Sequence, residues 1–298
     1  MCRMRFAAMI SLAVLGSRGV AAQRVAGRDL LDFPLGVLAE APALSSQMSG
    51  PLWNPALSML RPLTRASFGF AGLTTPQDIG VKLEMIGGEY RLKPNLTGSI
   101  SVAEASVVDI LRTDTDPNSL GGEITYGTTV LSAGLASSYK TASFGASVRY
   151  RYGTADRDHS SAVATDVGLV VDDVAHTPIR VAVSSFLLSP NGTADASFLA
   201  AADLPVYRRD STTIVRAGYS QTKTTGRGDE RYAFATASYR QIDLSGGMST
   251  VHEFGNSSRR WRLGLGVHHA GYSVAIGRED GGAGFNGSYQ FILTRAVK

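Results

Sequence analysis

The composition of this 298-residue chain argues against two classes of protein. Its formal net charge is +4, but Arg3, Arg5 and Arg18 lie in a segment that we expect to be removed, which leaves 26 basic against 25 acidic side chains. A nearly neutral chain without a basic stripe is not typical of nucleic-acid binding. Cys2 is the only cysteine, so a small exported domain held by disulfides is also not expected.

The first 22 residues have the pattern of a secretory signal peptide. Arg3 and Arg5 are basic, residues 6–15 are apolar, and residues 20–22 are small. This order is typical of a cleaved export signal. The apolar run is too short to span a bilayer, and no later stretch of about 18 apolar residues follows it. We therefore expect an exported mature chain that starts near Gln23.

The rest of the chain divides into two parts. Residues 23–65 are rich in proline and show little alternation, which predicts short helical turns and loops. Residues 66–298 alternate with a period of two, which predicts β-strands. In residues 142–152, for example, Phe144 and Val148 share one face, and small and charged residues share the other.

An apolar row opposite a small and charged row is typical of a wall between lipid and a watery lumen. Only helices and closed barrels cross bilayers. We therefore predict an all-β fold, a closed antiparallel transmembrane β-barrel of about fourteen strands. The longer links fall mostly at one end of the predicted barrel, as outer loops do in bacterial barrels. This places the barrel in the outer membrane with both termini in the periplasm.

A barrel of this size needs something in its lumen. Eight strands enclose a space that side chains can fill, whereas sixteen leave an aqueous channel. Fourteen strands therefore require water or a plug, and residues 23–65 are the spare material. We predict that they form a short N-terminal hatch of helical turns and loops inside the barrel.

Charged residues in the strands indicate which face points inward. A charge on the lipid face at mid-membrane costs about 2 to 4 kcal/mol, so we expect the charged row of each strand to face the lumen. There the charges would hold wall and plug together or form a selectivity filter. The predicted lumen-facing residues are Lys82, Glu84, Arg149, Arg151, Asp166, Arg180, Arg216 and Arg262. Strand 230–240 is ambiguous, because Tyr232 and Phe234 lie on one face and Ala233, Ala235 and Tyr239 on the other.

No catalytic, metal or cofactor site is predicted. His268 and His269 point to opposite faces of a strand, which is wrong for two ligands of one metal. Gly264 and Gly266 lie in a strand without a phosphate-binding helix after them. There is no Gly-x-Ser-x-Gly elbow and no nucleophile with a base. We expect a protein that is not an enzyme.

One short motif resembles a known family. Trp53, Asn54, Pro55 and Ala56 closely resemble the element that precedes the first strand in FadL-type long-chain fatty-acid transporters and in the PorV/PorQ group of secretion barrels. The resemblance implies a fourteen-stranded outer-membrane barrel with an N-terminal hatch inside. In FadL-type members, apolar ligands enter the barrel from the outer face and leave through a gap in the wall. In this chain the motif is either a structural turn or a gate.

These observations predict a conduit or binding barrel for small hydrophobic molecules, surrounded by outer-membrane lipid. One alternative is a PorV-like assembly component that docks proteins of a secretion system or of the cell surface. Another is a structural barrel or a general porin. A barrel lipase is disfavoured, because no triad is visible.

Overall fold

The structure is a computed structural model. It describes residues 25–60, 65–75, 80–107, 110–113, 120–189, 195–210, 212–253, 255–280 and 287–297. The predicted signal peptide, residues 1–22, lies outside the described residues. Within the described part of the chain, no helix is long and apolar enough to cross a membrane.

The described strands form one closed antiparallel wall and one small separate sheet. In chain order they are β1 (Ala66–Thr74), β2 (Val81–Lys93), β3 (Leu96–Val107), β4 (Leu111–Thr113), β5 (Leu120–Glu123), β6 (Tyr126–Tyr139), β7 (Ala142–Ala155), β8 (Asp158–Val171), β9 (Arg180–Phe186), β10 (Ser197–Arg208), β11 (Thr213–Thr224), β12 (Gly228–Tyr239), β13 (Ile242–Glu253), β14 (Asn256–His269), β15 (Tyr272–Glu279) and β16 (Ser288–Val297). Strands β4 and β5 pair only with each other, and the other fourteen close into a barrel through β1 and β16. The predicted closed antiparallel barrel of about fourteen strands is confirmed.

The two ends of the barrel have different links. We call the end where β1 begins and β16 ends the terminal end, and the opposite end the far end. Four of the six terminal-end links have two residues, whereas four of the seven far-end links have six or more. Bacterial barrels have short turns on the periplasmic side and longer loops on the extracellular side. This asymmetry therefore favours an orientation in which the far end is on the extracellular side.

The outer wall is apolar and has aromatic residues near both rims. Mid-strand side chains such as Val148 and Leu263 are more than half exposed on this face. Tyr139 and Tyr272 point outward near the terminal end, and Trp261 does so toward the far end. An apolar band between aromatic girdles is the pattern of a membrane-spanning barrel.

Residues 25–60, which we call the plug, lie inside this wall. The plug contains 3₁₀-helices at Asp29–Asp32, Pro42–Leu44 and Pro55–Met59, and one helical turn at Gly50–Trp53. Its leucine, valine and alanine side chains form the buried core together with inward residues of the wall. The hydrophobic effect, which stabilises the core of a soluble protein, therefore also holds the plug in the lumen.

The plug runs through the lumen from the far end to the terminal end. The Ala26 N–H donates to Ser160 Oγ (3.4 Å) near the far end of β8. At the other end of the plug, Met59 Sδ accepts from Thr97 Oγ1 (3.3 Å) near the terminal end of β3. The described chain therefore starts at Val25 near the far end and finishes at Val297 at the terminal end. The prediction that both termini lie on the periplasmic side concerns residues outside the described ranges, but the two ends of the described chain lie at opposite ends of the barrel.

Candidate functional site: the plug at the β8–β9 seam

The Trp-Asn-Pro-Ala motif forms a rigid corner of the plug. Asn54 ends the Gly50–Trp53 turn and caps the next helix, because its Oδ1 accepts from the Ala56 N–H (3.0 Å). Its Nδ2 donates to the Ala43 carbonyl (2.9 Å). Pro55 occupies the first turn of the capped helix, where its fixed φ and missing N–H cost nothing. Asn54 is completely buried, and both ends of its amide are satisfied.

Trp53 connects the plug to the wall. Its Nε1 donates to the Leu35 carbonyl within the plug (3.1 Å). Its ring packs against Phe186, the last residue of β9, with the centroids 4.8 Å apart. The Trp53 carbonyl accepts from Ser184 Oγ, also on β9 (3.0 Å). The motif is therefore attached to one particular strand of the barrel.

Two glycines of the wall make room for the motif. Gly145 of β7 and Gly168 of β8 are a cross-strand pair. A Cβ on Gly145 would overlap with the Pro55 backbone, and one on Gly168 would overlap with Asn54 Oδ1. A glycine inside a strand commonly marks such a close approach of another backbone.

Arg149 and Asp166 form a buried link beside the motif. The Arg149 guanidinium pairs with the Asp166 carboxylate, and both side chains are completely buried. Arg149 also donates to the Leu52 carbonyl of the plug and lies 4.8 Å from the centre of the Phe186 ring. Asp166 Oδ1 accepts from the Leu188 N–H just after β9 (3.2 Å). One ion pair thus touches the plug and strands β7, β8 and β9.

The wall is weakest where these contacts converge. Strand β8 pairs with β9 only from Gly168 to Val171, whereas β7 pairs with β8 through all fourteen residues. Beyond that short ladder, the Val167 N–H donates to a side chain, Ser185 Oγ (3.0 Å), and a single bridge joins Thr165 to Leu188. We call this junction the seam.

An apolar cavity of about 650 Å³ lies at the seam. Val167, Val183 and Phe198, which are about half exposed on the outer wall, line one side of it. Ser184 and Leu199, which are buried on the inner face, line the other. The cavity therefore opens on the lipid-facing surface and also contacts residues whose side chains are buried, among them Ser184, the hydrogen-bond partner of the Trp53 carbonyl.

The start of the plug is attached at the far end by ion pairs. Asp32 pairs with Arg28 (2.6 Å) and with Arg227 of the link after β11 (2.8 Å). Arg28 Nε donates to the Asp195 carbonyl (2.7 Å), and Arg151 pairs with the Asp195 side chain. Asp32, Trp53 and Leu199 line a small cavity of about 50 Å³ next to this network.

The structure brings six of the eight predicted charged residues together in four inward groups. Arg149 and Asp166 form the first, and Arg151 belongs to the far-end network described above. Arg180 and Arg216 both pair with Asp203 (2.6 and 2.7 Å) near the terminal end. Arg262 pairs with Glu230 (2.6 Å) and Glu279 (2.7 Å) on neighbouring strands. The lumen therefore holds opposite charges side by side rather than a ring of one sign.

The prediction was wrong for Lys82 and Glu84. Both point outward, where they pair with each other (3.0 Å) and are about half exposed. Their neighbours Val81, Leu83 and Met85 face inward and belong to the buried core. The reason is that the plug presents an apolar surface here, so the lumen accepts the apolar row of β2.

The structure also shows which face of the ambiguous strand, residues 230–240, points into the lumen. Tyr232 and Phe234 of β12 face inward, and their rings stack with the centroids 5.7 Å apart. Tyr232 OH donates to the Ala39 carbonyl of the plug (2.7 Å). Ala233 and Ala235 take the outer face.

Among the described residues, no group of three or more His, Cys, Asp or Glu side chains could hold a metal.

Several residues that build the site were missed by the sequence analysis. The sequence around Ser184, Phe186 and Asp195 has no distinctive local pattern. Gly145 and Gly168 did carry a signal, since isolated glycines inside strand patterns indicate a bulge or a close approach.

No family model matches the chain, and no curated protein matches it in sequence. Solved structures do match in fold. A FadL homologue from Pseudomonas aeruginosa has a TM-score of 0.54 and 10% identity, covering 93% of this chain and 99% of that chain. The Pseudomonas putida toluene transporter TodX has a TM-score of 0.54 and 11% identity, covering 94% of this chain and 98% of that chain. The chain has the FadL-type fold.

A third solved structure also matches the fold of this chain. The deltaS2 mutant of the TodX monoaromatic hydrocarbon channel has a TM-score of 0.58 and 11% identity, covering 88% of this chain and 97% of that chain. The resemblance predicted from Trp53, Asn54, Pro55 and Ala56 is thus confirmed at the level of the FadL-type fold. Of these structural neighbours, TodX is a toluene transporter and a monoaromatic hydrocarbon channel.

Proposed function

We propose that this protein is an outer-membrane channel that passes small hydrophobic molecules between its lumen and the surrounding bilayer at the seam. The observation that carries the proposal is the apolar cavity of about 650 Å³ at the seam, which is lined by the outward Phe198 and by the inward Leu199 and Ser184. Small-molecule sites are commonly concave and mostly apolar, with a few polar groups.

The position of the plug supports the proposal. Trp53 and Asn54 contact the two strands that flank the seam, through Ser184 on β9 and Gly168 on β8. A movement of this corner changes the inner side of the cavity directly. The plug also runs through the lumen from the far end to the terminal end, an arrangement that suits a gated conduit better than an open general porin.

The proposal includes the location and orientation of the barrel. The outward apolar band with its aromatic rims requires lipid around it, and the longer far-end links favour a far end that faces the medium. The FadL homologue and the toluene transporter with the same fold support transport rather than catalysis.

A test is to fill the cavity from the lipid side. Ala200 lines the cavity and points outward, so Ala200→Trp should block it without disturbing the inward plug contacts. Ala133 also points outward but lies opposite Val148, in a fully paired part of the wall. Ala133→Trp is therefore the matched control.

The measurement is uptake of a radiolabelled small apolar compound by intact cells of an outer-membrane-containing host that lacks such a channel. We expect Ala200→Trp to reduce uptake severalfold and Ala133→Trp to leave it unchanged. Heat-modifiable migration in detergent gels checks that both barrels fold. Equal uptake by a folded Ala200→Trp variant and the unmodified protein would refute the seam as the route.

A further inference from the structure

Two arginines flank a threonine on the outer face of the barrel toward the far end. Arg231 of β12 lies opposite Thr250 of β13, and Thr250 lies opposite Arg259 of β14. Neighbouring strands are spaced by just under 5 Å, so the Cα atoms of the two arginines are about 10 Å apart with the hydroxyl between them. All three point outward, because the next residues Tyr232, Ser249 and the inward Arg260 alternate with them.

An apolar patch, which we call the shelf, lies beside these three residues on the side of the terminal end. Two positions nearer the terminal end, Ala233, Met248 and Trp261 form the matching row on the same three strands. Trp261 is 57% exposed on the lipid side, and tryptophan favours the level of the lipid headgroups. Two residues of strand add about 7 Å, so the arginines lie within the headgroup region and the shelf lies at its boundary with the acyl chains.

The charge of the group is incompletely neutralised. Arg231 pairs with Asp229 two residues away (3.2 Å) and remains more than half exposed. Arg259 is exposed and makes no ion pair with any described residue. The opposite side of the barrel differs, since Glu84 lies beside Glu104 on the outer face of β2 and β3. The positive group is therefore a feature of this sector and not of the whole rim.

We propose that Arg231, Thr250 and Arg259 bind the phosphate group of a membrane lipid in the far-end leaflet. The forked guanidinium groups match phosphate oxygens in geometry and charge, and the threonine hydroxyl supplies a further donor. The shelf of Ala233, Met248 and Trp261 receives the first part of the acyl chains. The site is on the lipid side of β12–β14 and does not depend on the proposed transport function.

The experiment compares lipids that differ only in the phosphate. The full barrel in detergent is mixed with phosphatidic acid or with diacylglycerol of the same chains, and the retained lipid is measured by native mass spectrometry. The test variant is Arg231→Gln/Arg259→Gln. The control is Arg157→Gln/Arg209→Gln, which removes the same charge from two exposed residues in turns at opposite ends of the barrel.

We expect the unmodified protein and the control to retain phosphatidic acid roughly thirtyfold better than the test variant, because the variant loses two basic groups and each basic group near a membrane contributes about 1 kcal/mol. Diacylglycerol should be retained weakly by all three. Thr250→Val should give an intermediate loss without changing the charge. Equal retention of both lipids by the unmodified protein, or unchanged retention by the test variant, would overturn the proposal, and the first comparison needs no variant to fold.

Discussion

Arg149 and Asp166 form an ion pair in which neither side chain is exposed, although one stands on β7 and the other on β8. Through it, the Leu52 carbonyl of the plug is connected to the Leu188 N–H at the end of β9. The position of the plug and the closure of the seam thus share one pair of charges. A buried pair of this kind is costly to break but need not add much stability, which suggests a role in fixing geometry.

Removing one member of this pair should be more damaging than replacing both. Asp166→Ala leaves the Arg149 charge buried without a counter-ion, and we expect a loss of about 3 to 5 kcal/mol in unfolding free energy. The double variant Arg149→Met/Asp166→Leu should lose clearly less. Urea unfolding in detergent micelles measures both. Similar losses in the two variants would mean that the pair contributes ordinary packing only.

A methyl group on Gly168 should displace the Trp-Asn-Pro-Ala motif of the plug. Gly168→Ala places a Cβ where Asn54 Oδ1 lies, so the motif must move away from the wall. We expect higher ion conductance in planar bilayers than for the unmodified protein. Gly266→Ala is the matched control, since it lies on the inner face of β14 and its Cβ would meet its nearest neighbours at 3.5 Å. A conductance increase in both variants would point to a general loosening of the barrel.

Deleting residues 25–60 should leave a barrel that inserts but conducts ions. The strand pairing of the wall, including β1 with β16, does not involve the plug. The intact protein should be nearly closed in planar bilayers, whereas the deletion variant should show large steady currents. If the two conduct alike, the plug does not control the passage of ions.

Lipid exposure of the wall can be tested at Val148, which is 57% exposed in the middle of β7. Val148→Arg should lower the free energy of unfolding by about 2 to 4 kcal/mol, because it puts a charge in the hydrocarbon region. Val148→Leu keeps the position apolar and should be neutral. Refolding into lipid vesicles at several urea concentrations gives both values. A harmless arginine at this position would place it outside the membrane.

The far-end ion pairs should hold the start of the plug. Asp32→Asn removes the carboxylate that Arg28 and Arg227 share, and it leaves two cations close together. We expect brief openings in single-channel recordings that the unmodified protein lacks. Asp210→Asn changes an exposed carboxylate at the terminal end and serves as the control. Quiet recordings from Asp32→Asn would show that the apolar contacts alone hold the plug.

The sequence predicted the wall well, because alternation is a local property. The strand number and the outward row of β7 follow from neighbouring residues alone. Alternation divides a strand into two faces, however, and does not say which face is inside. Lys82 and Glu84 were assigned wrongly because the choice depends on the plug, which is apolar opposite Leu83 and Met85.

The candidate site was predictable only in part. Trp53, Asn54, Pro55 and Ala56 were predicted to form a hatch motif, but their partners on the wall lie more than 80 residues away on β7, β8 and β9. The seam depends on how few residues of β8 and β9 pair. Such a property arises between strands and leaves no mark in either strand alone. The cavity at the seam was invisible for the same reason.

The course of the plug constrains how the protein is made. Residues 25–60 pass along the inside of a wall that is closed by the pairing of β1 with β16, the first and last strands to be synthesised. Chains rarely thread through preformed openings, and this one would have to draw Trp53 and four short helical segments through a finished ring. When the plug is present, the pairing of β1 with β16 must therefore close around residues 25–60 that are already inside, so the order of assembly and not a later insertion puts the plug in the lumen.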